Sequence, residues 1–165
     1  MNASPVSNNH ELYTQRHFRF GWWSLLLFLI LGLVLESLYA FKNTGYLENE
    51  TRHLVWRLAH AHGTLLGLVH IAFAFTLSVT GESFKRIRLP SACLNAASVL
   101  LPGGFFLGGI YTFPKTNDPG LGIFLAPIGG LVLLVAVFCI ARGVSGSSVN
   151  EAGQDEPLEE ASDSE

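Results

Sequence analysis

"GWWSLLLFLILGLVLESLYAF", Gly21–Phe41, decides the fold. Its only charged residue is Glu36, near the far end. A helix that crosses a bilayer needs about 20 mostly apolar residues, and this run supplies them. It is too long for a signal-peptide core, it opens on Trp22 and Trp23, and no clean small-x-small cleavage site follows. An uncleaved helix is therefore expected.

Three similar runs follow, at roughly Val55–Val79, Ala92–Phe113 and Leu121–Ala141. The composition agrees. The chain of 165 residues is 49% hydrophobic and 14% charged, where soluble domains carry about 25% charge. The fold class expected is all-α, an integral membrane antiparallel four-helix bundle with short connections. Residues 1–20 read as a polar N-terminal segment, 21–142 as the four-span domain and 143–165 as a disordered acidic tail. Seven of the 13 acidic residues follow Asn150, with almost nothing beside them to bury. Paired glycines at 103–104, 108–109 and 129–130, with Gly63 and Gly67, allow helices to approach closely. Pro102 and Pro127 are expected to kink or loosen their helices.

Lys and Arg set the orientation. Arg16, Arg19, Lys85, Arg86, Arg88 and Arg142 fall on the side of the termini, against Lys42, Arg52, Arg57 and Lys115 opposite. Both termini are expected in the cytoplasm. The basic cluster "KRIR" beside a span reads as topogenic charge or a lipid headgroup contact, and nothing points to nucleic acid. Cys93 and Cys139 sit in apolar runs and suggest neither a disulfide framework nor a zinc site.

The second span holds the chemistry. "RLAHAHGTLLGLVH", Arg57–His70, carries His60, His62 and His70 among apolar and small residues. At about 100° per residue, His60 and His62 point roughly 200° apart, and His62 and His70 are separated by about 12 Å of rise. No two of them chelate one ion. A single imidazole does suffice for a haem iron, because the porphyrin supplies the other donors. Gly63, Thr64 and Gly67 lie near the face of His60 and leave a shallow surface for a flat ring. The other spans show no histidine, and the sole methionine is Met1. A haem here is therefore expected to keep an open position or to borrow a ligand from another chain. The plainer reading is interhelical hydrogen bonding by the histidines, although ionisable groups inside spans often carry function. Glu36 is the other such group. Asn95 and Tyr111 offer hydrogen bonds from the third span, and Arg57 is placed to meet Glu36 or a haem propionate.

"WRLAHAHGTLLGLVHIAFAF", Trp56–Phe75, resembles the second helix of styrene oxide isomerase and hydroxylaminobenzene mutase, which are small four-helix membrane proteins. The likeness rests on Arg57, His60, Gly67 and Ile71–Phe75, and on the entry "RHFRFG" before the first span. The resemblance implies a trimer with haem b near subunit interfaces and His60 as axial ligand, with His62 and His70 as alternatives. It implies an isomerase that polarises a small apolar epoxide or hydroxylamine-type substrate at the iron, without net redox. The chain departs from that pattern at Leu66, where the family has asparagine. It departs again in the third span, where Asn95 and Tyr111 only partly replace the family's polar set. Two other readings stay open: a non-catalytic membrane haem or ligand binder, and a cofactor-free structural or assembly subunit.

Overall fold

A computed structural model describes residues 5–81, 86–113 and 118–152, with side chains placed over 10–81, 86–113 and 118–145. Among the described residues five α-helices follow one another: α1 (Pro5–Ala40), the short α2 (Thr44–Leu47), α3 (Glu50–Thr80), α4 (Arg88–Ile110) and α5 (Leu125–Ala152). A 3-10 turn, Leu121–Phe124, leads into α5. Helices α1, α3, α4 and α5 are long and apolar enough to cross a membrane. The protein is an all-α bundle of four candidate membrane spans.

The buried positions explain the packing. On α1 they run His17, Gly21, Leu25 and Leu35, with half-buried Phe28 and Gly32 between. Steps of three and four keep that stripe on one side of a helix. The same steps recur on α3 through Val55, Ala59, Gly63, Leu66, His70, Phe73 and Leu77. Contacts such as His17 with His70, and Trp56 with Phe106, run the neighbouring helices antiparallel. Helices α3 and α4 form the central pair. Helix α1 packs on α3 and α5 packs on α4, so most of their remaining apolar side chains face outward. Trp22, Trp23, Leu26, Leu27 and Leu131 belong to that outward set. Exposed apolar surface of this kind suits lipid, where burial from water is not required.

Glycine permits the closest approaches. A Cβ on Gly104 would lie 2.5 Å from the backbone nitrogen of Ala126, and one on Gly129 would lie 2.6 Å from that of Leu101. On the other side of the bundle, Gly63 accommodates the ring of Phe28 and Gly67 faces Leu25 and the Gly21 carbonyl.

The far end of the bundle is tied by Arg52. Its Nε donates to the Gly109 carbonyl at 2.9 Å and a terminal nitrogen donates to the Gly45 carbonyl at 2.8 Å. Asn49 caps α3 by accepting from the Arg52 N–H, and its own amide donates to Thr112 Oγ1. Trp56 Nε1 donates to the Phe106 carbonyl at 3.1 Å.

Several sequence expectations need adjustment. The first helix begins at Pro5, well before Gly21, so much of the polar N-terminal segment is a continuation of the span. His17 therefore stands on the first membrane helix, which was expected to hold no histidine. Pro127 falls in the first turn of α5, where backbone N–H groups have no helical partner to lose, so it interrupts nothing. Pro102 is interior to α4 and removes one bond to the Ser98 carbonyl, yet the helix runs on to Ile110. Helix α5 continues to Ala152, into the segment expected to be a disordered tail. Residues 153–165 of that tail, with Lys85 and Lys115, lie outside the described residues.

Candidate functional site

A cleft of ≈ 830 Å³ opens between the second half of α1 and the first half of α3. Gly32, Leu35, Glu36 and Tyr39 line it from α1, and His53, Arg57 and His60 from α3. Tyr46 of α2 closes one end. Burial pushes the Tyr46 hydroxyl above its ordinary pKa, and the nearby Arg57 charge pulls the other way.

His60 sits at the inner end. Its Nδ1–H donates to the Phe28 carbonyl at 2.7 Å. That carbonyl is free to accept a second bond beside its helical one, since a carbonyl oxygen has two lone pairs. The absence of a side chain at Gly32 makes room for the ring: a Cβ there would stand 2.5 Å from His60 Cε1. With Nδ1 committed to Phe28, the ring is held in the Nδ1–H tautomer. Nε2 then carries the lone pair, on a residue that lines the cleft with Leu35 and Glu36. Backbone bonding through one nitrogen while the other is left to ligate is the usual arrangement of a metal-bound histidine.

The other named residues separate. Glu36 and Arg57 are both exposed and line the same cleft without a direct ion pair. Gly63 and Gly67 belong to the α1 contact, so the small-residue face beyond His60 is covered by Phe28 and Leu25. Thr64 Oγ1, one turn after His60, is buried without a hydrogen-bond partner. His62 faces the opposite way, as the helical phase requires. Its Nδ1–H donates to the Leu58 carbonyl and its ring lies 4.9 Å from that of Phe105 on α4. Asn95 donates to the Ser91 carbonyl within α4, and Tyr111 is exposed at the end of that helix. Neither of these lines the cleft. Among the described residues, no group of three His, Cys, Asp or Glu side chains is gathered to hold a metal ion.

His70 is engaged elsewhere. It is fully buried, and both of its nitrogens are bonded: Nδ1 to His17 Nδ1 at 2.7 Å and Nε2 to Ser98 Oγ at 2.8 Å. It has no lone pair left for iron. His17, equally buried, joins Ser91 Oγ through Nε2 at 2.8 Å. This four-residue chain links α1, α3 and α4, and sequence reasoning missed it. A signal was there, because the stripe Gly21, Leu25, Phe28, Gly32, Leu35 extended back by one turn lands on His17.

No protein-family model, curated protein or solved structure matches the chain.

Proposed function

We propose that this protein binds haem b in the α1–α3 cleft, with His60 Nε2 as the axial ligand. The observation that carries the reading is the tautomer. The Phe28 carbonyl holds His60 Nδ1–H and leaves Nε2 bare on a residue that lines the cleft beside a cation, Arg57, and a carboxylate, Glu36. Arg57 stands one turn before His60 and is the residue placed to pair with a propionate. The covered glycines mean that the ring plane would lie over the open cleft rather than against Gly63 and Gly67.

When bound, haem would supply a Lewis-acidic iron able to polarise the oxygen of a small apolar epoxide or hydroxylamine-type substrate, without net redox. The chain's own contribution is to fix the imidazole, to neutralise charge at the rim with Arg57, and to present the Glu36 carboxylate for proton handling. Tyr39 and Tyr46 give the cleft an aromatic wall for an apolar ligand. The cleft is open on its outer side, so a second copy of the chain would complete it, and a homo-oligomer, a trimer in the isomerase reading, follows from the proposal. The distribution of Lys and Arg, six against four, favours both termini in the cytoplasm.

The test is the absorption spectrum of the detergent-purified protein. A Soret band in the parent that is lost in His60→Ala and kept in His62→Ala supports the reading. A parent that stays colourless after haemin is added sinks it. The cofactor-free structural role would then stand, and His60→Gln would be tolerated.

A further inference from the structure

The protons of the buried chain Ser91–His17–His70–Ser98 can be placed starting from Ser98. Ser98 Oγ donates to the Leu94 carbonyl at 2.9 Å, so its single hydrogen is spent and it accepts from His70 Nε2–H. In a neutral His70 this leaves Nδ1 bare, and it accepts from His17 Nδ1–H. His17 Nε2 is then bare in turn and accepts from the Ser91 hydroxyl. Every polar atom in the chain is paired, and the two imidazoles carry opposite tautomers.

The two ends differ, because Ser98 Oγ has a second partner and Ser91 Oγ is bonded to His17 alone. Ser98 donates to the carbonyl four residues before it on α4. The same partner for Ser91 is the Ile87 carbonyl, which already receives the Ser91 N–H and has a second lone pair. If Ser91 turns its hydroxyl to that carbonyl, its oxygen is freed to accept. His17 Nε2 can then take up a proton and donate it to Ser91. Both rings now donate Nε2–H to a serine, and one hydrogen lies between the facing Nδ1 atoms. Each of the three ring contacts keeps one donor and one acceptor. A second proton would set Nδ1–H against Nδ1–H at the observed 2.7 Å and must open the pair.

We propose that His17 and His70 form a binding site for a single proton, shared between the two Nδ1 atoms and cradled by Ser91 and Ser98. The rings lie 4.9 Å apart and stacked at 26°, walled by Phe73 and Phe20. Arg16 acts electrostatically on His17, and the other titratable and charged groups described at this end of the bundle are His10, Glu11, Tyr13 and Arg19 on α1, Arg86, Arg88 and Cys93 at and before the start of α4, and Cys139 and Arg142 on α5. Between Gly63 and Leu77, α3 adds no ionisable side chain other than His70. Neither ring is hydrogen-bonded to a carboxylate, so the charge is stabilised by spreading over two rings rather than by a bonded anion. The site is separate from the proposed haem ligand, ten residues away along α3.

The experiment is an imidazole 15N NMR titration of the histidine-labelled full-length protein in micelles, from pH 8 downward, with helix content followed by circular dichroism. His17→Gln and His70→Gln assign the signals. If either variant fails to fold, the bare and protonated nitrogens of the opposed tautomers still mark the pair in the parent. The expected result is one Nδ1–H and one Nε2–H tautomer at high pH. On acidification, His17 Nε2 and His70 Nδ1 shift together, with uptake of one proton per pair and helix content unchanged. Uptake of two protons in the folded state overturns the proposal. So does a pair that stays neutral until the helices are lost, which would make the chain a structural tie alone.

Discussion

His60 shows how a single residue's role is set by what one of its nitrogens is doing. Its Nδ1–H reaches the Phe28 carbonyl only because residue 32 has no side chain. Gly32→Ala would put a methyl group 2.5 Å from Cε1 and push the ring off that carbonyl. Overpacking of this kind costs about 1–3 kcal/mol, and if that cost falls on the bound state it corresponds to a loss of haem affinity of roughly 5- to 160-fold. Haemin titration of Gly32→Ala beside the parent would show it, with helix content unchanged. A variant that binds as tightly as the parent would separate the tautomer from ligation. His60 was legible in the sequence because an ionisable group in an apolar helix stands out. His17 was not, because it lies in "RHFRFG", a basic entry that reads as a flank. Only the continuation of α1 past the hydrocarbon length turns that flank into a packed surface. Glu36, Arg57 and His60 share a cleft, as their depth in two antiparallel helices allows. Asn95 and Tyr111 do not join them, because α4 lies on the other side of α3.

Between elements, small residues set the spacing. The α4–α5 contact brings Gly104 against the Ala126 backbone, and backbone cannot give way as a flexible side chain can. Gly104→Ala is expected to destabilise the bundle by about 1–3 kcal/mol, measured as the midpoint of unfolding in a denaturing detergent. Gly103→Ala is the control, since nothing lies within 4 Å of a Cβ there, and its midpoint should match the parent. Sequence alone gave both glycines the same weight. Only the phase of α4 distinguishes them. Arg52 was read as topogenic charge, and it proves to be a clasp between the α1–α3 connection and the end of α4. Lysine has no fork with which to span two carbonyls. Arg52→Lys should therefore lose part of the stability that Arg52 gives, about 1–3 kcal/mol for charge-assisted bonds in this range, on the same unfolding assay.

At the scale of the molecule, four helices long enough to span were plain from four apolar runs, because hydrophobic length is the strongest constraint a bilayer imposes. Their order of packing was not, since apolar faces of similar size do not name their partners. Orientation rests on a margin of two basic residues, six against four. Reporter fusions at the C-terminus and in the α3–α4 connection are expected to report the cytoplasm, and a fusion between α4 and α5 the opposite side. The reverse pattern would place the cleft, which lies at the end away from the termini, on the cytoplasmic face.

That cleft has one further consequence. It opens sideways from α1 and α3, flanked by outward residues such as Leu33 and Leu54, rather than at the bottom of an enclosed chamber. An apolar compound would reach it by lateral diffusion within the membrane, after dissolving there from water. Its occupancy would then follow the compound's mole fraction in the bilayer. Diluting the protein into more lipid at fixed total compound would empty the site, even with the volume of the aqueous phase unchanged.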